Sequence, residues 1–218
     1  MLNLLLLGLA VVHGILFLWS LRWGDSASRR LWFLWALLFG MCYDNLITGT
    51  GSYFINSDWY EMANIPRFVL HSSILPFLIL FTLSAMQTQG IPSARHPIAI
   101  WVCGCFVLLA VMYGLYHEVY LLQLEEKMSF GVVRLGDTAG GPPMATIMTN
   151  LLMLPMAAVV WRKSGWPWLF LGGLFIVVVN GATAPMAWGF LAGNFAEVVF
   201  VLALLATEKH LTQDESQA

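Results

Sequence analysis

The stretch LNLLLLGLAVVHGILFLWSL, at residues 2–21, carries no Asp, Glu, Lys or Arg. About 20 apolar residues in a helix cross the hydrocarbon core of a bilayer, so this stretch predicts a transmembrane helix. It has no basic segment at its start and no small-residue cleavage site before Arg22. We therefore expect a retained helix and not a cleaved signal peptide.

The rest of the chain has the same membrane character. Of its 218 residues, 59% are hydrophobic and only 10% are charged, with a formal net charge of -2, whereas soluble proteins are about 25% charged. This composition argues against a soluble enzyme, and no basic run is present that would bind a nucleic acid. We expect membrane lipids and a hydrophobic or lipid-like small molecule as partners, and the sequence identifies no protein partner.

The apolar blocks predict an all-α polytopic membrane protein with seven transmembrane helices, which form one domain at residues 1–210. A polar cytoplasmic tail at 211–218 would be loosely ordered. Seven of the ten Lys and Arg residues fall in loops on one side, which the positive-inside rule places in the cytoplasm. The N-terminus is then outside. The predicted spans are residues 2–21, 31–49, 65–86, 97–116, 142–161, 166–184 and 186–207.

The longest polar connection, at residues 117–141, is expected to be an external loop. Residues 120–127 can continue the fourth helix, and residues 132–135 can form a short extended segment. The cell membrane is the expected location, and a bacterial inner membrane suits such a chain.

Polar side chains inside the predicted spans are unevenly distributed with depth. Under the seven-span topology all of them lie in the outer half, while the inner half is almost purely apolar apart from His13 and Ser84. Polar groups inside a membrane are costly and usually face the bundle interior. The pattern predicts a cup for a mostly apolar ligand with a polar end. The residues are Tyr43, Asp44, Asn45, Arg67, His71, Asn150, Asn180, Asn194 and Glu197.

Acid–base chemistry is the reaction type that these residues favour, with Asp44, Glu197 and His71 as candidate catalytic residues. Glu197 has no basic partner in its own helix, so we expect it to donate a proton. Asp44 would act as a base or positioning group if Arg67 pairs with it. The candidate substrate-binding residues are Tyr43, Asn45, Arg67, Asn150, Asn180 and Asn194.

Structural roles remain open for the same residues. Asp44 and Arg67 can be an ion pair that ties the second helix to the third, and His71 can be an interhelical hydrogen-bonding residue. Each asparagine can likewise be a polar contact between helices. Glu197 is the residue for which such a role is hardest to assign.

No metal or other cofactor is expected. No span carries paired histidines at helical spacing, and Cys42, Cys103 and Cys105 lie in apolar runs where packing is their expected role. A retinal protein would need a lysine within its last span, whereas Lys209 lies beyond that span.

The layout of seven spans with acidic residues in the second and the seventh resembles the membrane-integral terpene cyclases of meroterpenoid and indole-terpenoid pathways. That resemblance implies that Asp44 and Glu197 protonate an epoxide or alkene. It covers the topology and these two positions, and the local setting Tyr43-Asp44-Asn45 does not match a family motif. The segment from Gly140 through Gly193-Asn194 to Glu197 also resembles bacterial integral membrane proteins.

Three functions follow from these observations. The first is a metal-independent cyclase or isomerase of an isoprenoid or lipid, acting in an outer-half pocket. The second is a non-catalytic sensor or accessory protein that binds a lipid or quinone. The third is a small proton-coupled transporter, which the apolar inner half disfavours because an ion path needs polar groups at several depths.

Overall fold

The computed structural model describes residues 2–26, 28–138 and 141–217, of which most are helical. The helices are α1 Leu2–Ser20, α2 Arg29–Phe54, α3 Asp58–Ile74, α4 Leu78–Thr88, α5 Pro92–Arg95, α6 Pro97–Leu115, α7 Met144–Ser164, α8 Trp168–Thr183 and α9 Gly189–Gln217. Two strands, β1 Leu124–Ser129 and β2 Val132–Asp137, lie between α6 and α7.

Six helical segments of the described chain are long and apolar enough to cross a membrane. They confirm a polytopic, mainly helical membrane protein. Helix α8 is apolar but has only 16 residues, so the seventh crossing and the orientation stay predictions. The six segments are Leu2–Gly24, Arg29–Phe54, Asp58–Thr88, Pro97–Tyr120, Met144–Ser164 and Gly189–Gln213.

The third membrane segment begins earlier than the sequence predicted. Helix α3 starts at Asp58, seven residues before the predicted span at 65–86, with Asp58 and Glu61 in its first turn. Acidic side chains there interact favourably with the positive end of the helix dipole. The sequence analysis missed this first turn because its residues are polar. A short 3-10 turn, Leu75–Phe77, joins α3 to α4 at Pro76, which has no backbone N–H to donate.

The C-terminal helix also extends beyond its predicted end. Helix α9 runs to Gln217, so the tail expected to be loosely ordered is helical over the described residues. Glu208 and Leu211 are both 1% exposed. Their burial explains the extension, because a packed face stabilises helix beyond the membrane-spanning part.

The predicted external loop contains a β-hairpin. The extended segment expected at 132–135 is confirmed within β2, whereas the option of a helix over 120–127 is wrong, because α6 ends in a π-helical turn, Tyr116–Tyr120, and β1 follows. The two strands pair antiparallel, with Ser129 opposite Val132. The turn residues Phe130 and Gly131 both have positive φ, 51° and 75°, the conformation that suits a tight hairpin.

The hairpin packs against one end of the bundle, which we call the hairpin end. Val132 is fully buried with Leu6 and Leu9 of α1. The Ser52 hydroxyl of α2 accepts a hydrogen bond from the Val133 backbone N–H at 3.5 Å. Gly51 allows this approach, since a Cβ at that position would collide with the Val133 carbonyl oxygen. The hairpin is therefore part of the folded bundle.

The opposite end holds a polar cluster that the sequence analysis did not predict. Arg30 and Glu208 form an ion pair at 2.6 Å, with side chains 5% and 2% exposed. The Arg30 guanidinium also donates to the hydroxyls of Ser84 and Thr88, at 3.1 and 3.0 Å. Arg30 and Glu208 each lie one residue beyond the predicted spans 31–49 and 186–207, where α2 and α9 continue past those limits. The expectation of an almost purely apolar inner half within the spans stays a prediction.

Candidate functional site

A cavity of about 680 Å³ lies at the hairpin end, between α2, α3, α6 and α9. Asp137 at the end of β2 and the segment 141–144 complete its wall. Much of the lining is apolar, from side chains of α2, α3 and the 3-10 turn that follows α3. These are Leu37, Met41, Phe68, Leu70, Ile74 and Leu75.

Asp44 and Arg67 form an ion pair on one wall of the cavity. The Arg67 Nε donates to the Asp44 Oδ1 at 2.8 Å, and their side chains are 32% exposed for Asp44 and 9% for Arg67. A second guanidinium nitrogen of Arg67 donates to the Asn64 side-chain oxygen at 2.7 Å and to the Leu135 carbonyl at 3.2 Å. Arg67 is therefore fixed by α2, by its own helix and by β2, while the Asp44 carboxylate still faces the cavity.

Glu197 of α9 lines the same cavity. It is half-buried and forms no hydrogen bond or ion pair with the other described residues, although Asp44 and Arg67 are close enough to interact with it electrostatically. Asn194, three residues earlier, lines the cavity too. The spacing of three places both side chains on one helix face.

His71 combines a structural contact with a place in the cavity wall. One ring nitrogen, Nε2, lies 3.0 Å from the Thr146 hydroxyl of α7. The imidazole also lines the cavity. The structural and the chemical roles considered for His71 are thus compatible.

Four predicted binding residues lie outside the cavity lining. The Tyr43 hydroxyl donates to the Ala63 carbonyl at 2.8 Å, which ties α2 to α3. Asn45 is fully buried and donates to the Met41 carbonyl of its own helix. Asn180 lies against Gly193 of α9, and Asn150 of α7 is half-buried. For Tyr43 and Asn180, a contact between helices is the role that fits their positions.

The cavity also contains polar residues that the sequence analysis did not select. Tyr113, His117, Glu118 and Asp137 all line it. His117 and Glu118 were assigned to the external loop, but the π-helical turn at the end of α6 carries them onto the cavity wall. Such turns often occur at functional sites. The available signal was a His-Glu pair directly after an apolar run, at the same membrane end as Asp44.

Arg134 of β2 lies behind this wall. Burial lowers the pKa of its guanidinium, and the positive charge of Arg67 lowers it further. The guanidinium carbon lies 4.4 Å from the centroid of the Phe190 ring, a cation–π contact that partly offsets the lost hydration. The hairpin thus brings a second cation to the neighbourhood of the Asp44–Arg67 pair.

Within the described ranges, no three His, Cys, Asp or Glu side chains form a group that could hold a metal ion. Comparisons of this chain with protein families, curated proteins and solved structures return no match. A functional assignment therefore depends on the chemistry of the cavity itself.

Proposed function

We propose that this protein is an integral membrane enzyme that acts on a hydrophobic or amphiphilic molecule, such as an isoprenoid or lipid, by metal-independent acid–base chemistry. The reaction would be an isomerisation or a cyclisation. One observation carries the proposal. Two carboxyl groups in different environments, Asp44 with a cationic partner and Glu197 with none, line a single cavity.

The two environments suit opposite roles in proton transfer. Glu197 is half-buried and has no hydrogen-bond or ion-pair partner among the described residues, so as a neutral acid it can donate a proton. The carboxylate of Asp44, held by its ion pair with Arg67, can accept a proton. Glu197 would protonate an alkene or epoxide of the substrate, and Asp44 would take a proton from the resulting cation. Return of that proton to Glu197 then restores the site.

The remainder of the cavity suits such a substrate. Its volume of about 680 Å³ falls in the usual range for small-molecule sites, roughly 300–1,000 Å³. The aromatic rings of Phe68 and Tyr113 belong to the wall, and each ring can stabilise a nearby cation by about 0.5–2 kcal/mol.

The proposal includes a seven-crossing topology in the cell membrane, with the N-terminus and the hairpin outside and the C-terminus in the cytoplasm. At 1.5 Å per residue, α8 spans roughly 24 Å, somewhat less than the about 30 Å core of a bilayer. Local thinning or flanking polar residues can accommodate that difference. The excess of Lys and Arg in the opposite set of loops supports this orientation.

Mass spectrometry of small molecules that co-purify from native membranes tests the proposed reaction. Asp44→Asn and Glu197→Gln should each accumulate a precursor, whereas the wild type should carry its isomer or cyclised product. Glu125→Gln, at an exposed position of β1, is the matched control and should resemble the wild type.

The same experiment separates catalysis from ligand binding, and a flux measurement separates both from transport. One molecule bound equally to the wild type and to both cavity variants would contradict acid–base catalysis and favour a non-catalytic lipid or quinone sensor. A proton-coupled transporter would instead show substrate-dependent proton flux in vesicles, which Glu197→Gln would abolish without any chemical change in the substrate.

A further inference from the structure

The polar residues of the cavity form two separate groups. The inner group contains Asp44, Arg67 and Glu197, which interact with one another electrostatically. The second group, which we call the mouth group, consists of Tyr113, His117 and Glu118 at the end of α6. Glu118 interacts electrostatically with Asp137 of the hairpin, and both residues line the cavity, so the mouth group lies on the hairpin side. The proposed acid–base step does not use it.

Glu118 has an unmet hydrogen-bonding requirement. Its Oε1 is buried and has no hydrogen-bond partner in the described part of the chain, although the side chain lines the cavity. Buried carboxylate oxygens in native proteins are nearly always paired, because an unpaired one loses its hydration without compensation. A ligand that donates a hydrogen bond or carries a positive charge would supply the missing partner.

The rings beside Glu118 narrow the chemistry of that partner. The ring centroids of Tyr113 and His117 are 4.2 Å apart, and both residues line the cavity with Glu118. A carboxylate next to aromatic faces is the combination that binds ammonium groups, since both present negative potential. A carboxylate or phosphate end would be repelled by the same surface.

No lysine or arginine of the described chain forms an ion pair with Glu118. Arg134 lies over the Phe190 ring. The Lys127 ammonium of β1 donates to the backbone carbonyl of Asp137 at 2.5 Å. Arg67 is engaged by Asp44, Asn64 and the Leu135 carbonyl. In the described structure, the acidic residues of the cavity wall therefore outnumber its single arginine.

We propose that the mouth group binds the cationic end of an amphiphilic ligand, a protonated or quaternary amine, with the carboxylate of Glu118 as its counter-ion. This inference rests on the proposed function, because the apolar part of the same ligand would extend from the mouth group to Glu197. It narrows the substrate class to cationic amphiphiles.

Equilibrium binding of two probes with equal chains tests the inference. Labelled dodecyltrimethylammonium and labelled dodecanol are added to the full-length protein in nanodiscs, and binding to empty nanodiscs is subtracted. The ammonium probe should bind the wild type more tightly than the alcohol. Glu118→Gln should weaken ammonium binding about tenfold, as expected for one charge-assisted interaction. It should change dodecanol binding much less, because the amide oxygen of the variant side chain can still accept a hydrogen bond from the hydroxyl group.

Glu125→Gln on β1 is the control for a lost surface carboxylate and should bind both probes as the wild type does. Equal affinity of the wild type for the ammonium and the alcohol would overturn the inference, even if Glu118→Gln failed to fold. Unchanged ammonium binding by a folded Glu118→Gln protein would overturn it as well.

Failure here is distinguishable from failure of the proposed function. One outcome is that the alcohol binds as well as the ammonium while Asp44→Asn and Glu197→Gln still accumulate a precursor. In that case the proposed cationic end of the ligand is wrong and the proposed reaction stands. If the ammonium selectivity depends on Glu118 and no precursor accumulates, the ligand class stands and the acid–base reaction is wrong.

Discussion

Two buried ion pairs lie at opposite ends of the bundle, and their surroundings give them different roles. Asp44, paired with Arg67, keeps 32% of its side chain exposed to the cavity. Arg30 and Glu208 are almost completely enclosed, at 5% and 2% exposure, and hydroxyl groups bond to both. The first pair can meet a ligand, whereas the second can only hold α2 and α9 together.

Glu208→Leu should destabilise the protein by about 3–5 kcal/mol, because it leaves the Arg30 guanidinium buried without its counter-ion. The loss is measured as the change in free energy of unfolding in detergent. The double variant Arg30→Met with Glu208→Leu should recover most of it, since no charge then remains buried. A Glu208→Leu protein as stable as the wild type would show that this pair does not hold the helices.

The sequence predicted individual cavity residues best where a charged or polar side chain is costly to bury. Asp44, Arg67, His71, Asn194 and Glu197 were selected for their place inside apolar runs, and all five line one cavity. Their chemical roles stay predictions. His117 and Glu118 were missed because they follow an apolar run, and Arg30 and Glu208 because they lie at span limits. The π-helical turn places His117 and Glu118 on the cavity wall, and the Arg30–Glu208 contact joins residues 178 positions apart; neither is visible in a local apolar pattern.

Among the elements, the hairpin depends most on tertiary packing. A two-stranded hairpin alone is barely stable in water, and here Val132 is buried against α1 while β2 approaches α2 at Gly51. The hairpin in turn supplies the Leu135 carbonyl to Arg67. The geometry of the Asp44–Arg67 pair therefore depends on the position of β2.

Gly51→Ala should displace β2, because the new methyl group would meet the Val133 carbonyl and the Tyr60 hydroxyl. Amide hydrogen exchange of residues 132–137 should become faster, as expected for an element that opens locally. Gly8→Ala in α1 is the matched control, since a Cβ there meets nothing within 4 Å. Equal protection of β2 in Gly51→Ala and the wild type would contradict the close approach.

Helices were the elements that the sequence predicted well, since long apolar runs leave few alternatives in a membrane. The hairpin was only partly predictable. Residues 132–135 contain β-branched side chains, but β1 has the sequence LEEKMS, which shows no strand-like alternation of apolar residues. Its pairing is imposed by β2 and by the bundle beneath it, contacts that a local pattern does not contain.

For the whole molecule, the topology decides which aqueous compartment lies beside the cavity. The three native cysteines are replaced first, and single cysteines are then introduced. The reaction of each with a membrane-impermeant maleimide on intact cells reports which side of the membrane it faces. We expect Glu125→Cys on the hairpin and Met186→Cys after α8 to be labelled from outside. Ser93→Cys in α5 should be labelled only after the cells are permeabilised.

Labelling of Ser93→Cys from outside, with protection of Glu125→Cys, would invert the orientation. Protection of Met186→Cys alone would remove the crossing by α8 and leave six membrane-spanning segments. The last outcome would also contradict the assembly of the cavity, because α9 would then begin on the cytoplasmic side, although its Asn194 and Glu197 line the cavity at the hairpin end.

Native mass spectrometry of the protein released from its own membranes tests most directly whether the cavity is a ligand site. Ile74→Trp fills the apolar wall of the cavity, and Ile100→Trp makes the same change on the exposed face of α6. The wild type and Ile100→Trp should carry a bound hydrophobic or amphiphilic molecule that a folded Ile74→Trp protein has lost. An equally occupied Ile74→Trp protein would place the ligand outside the cavity and contradict the central claim.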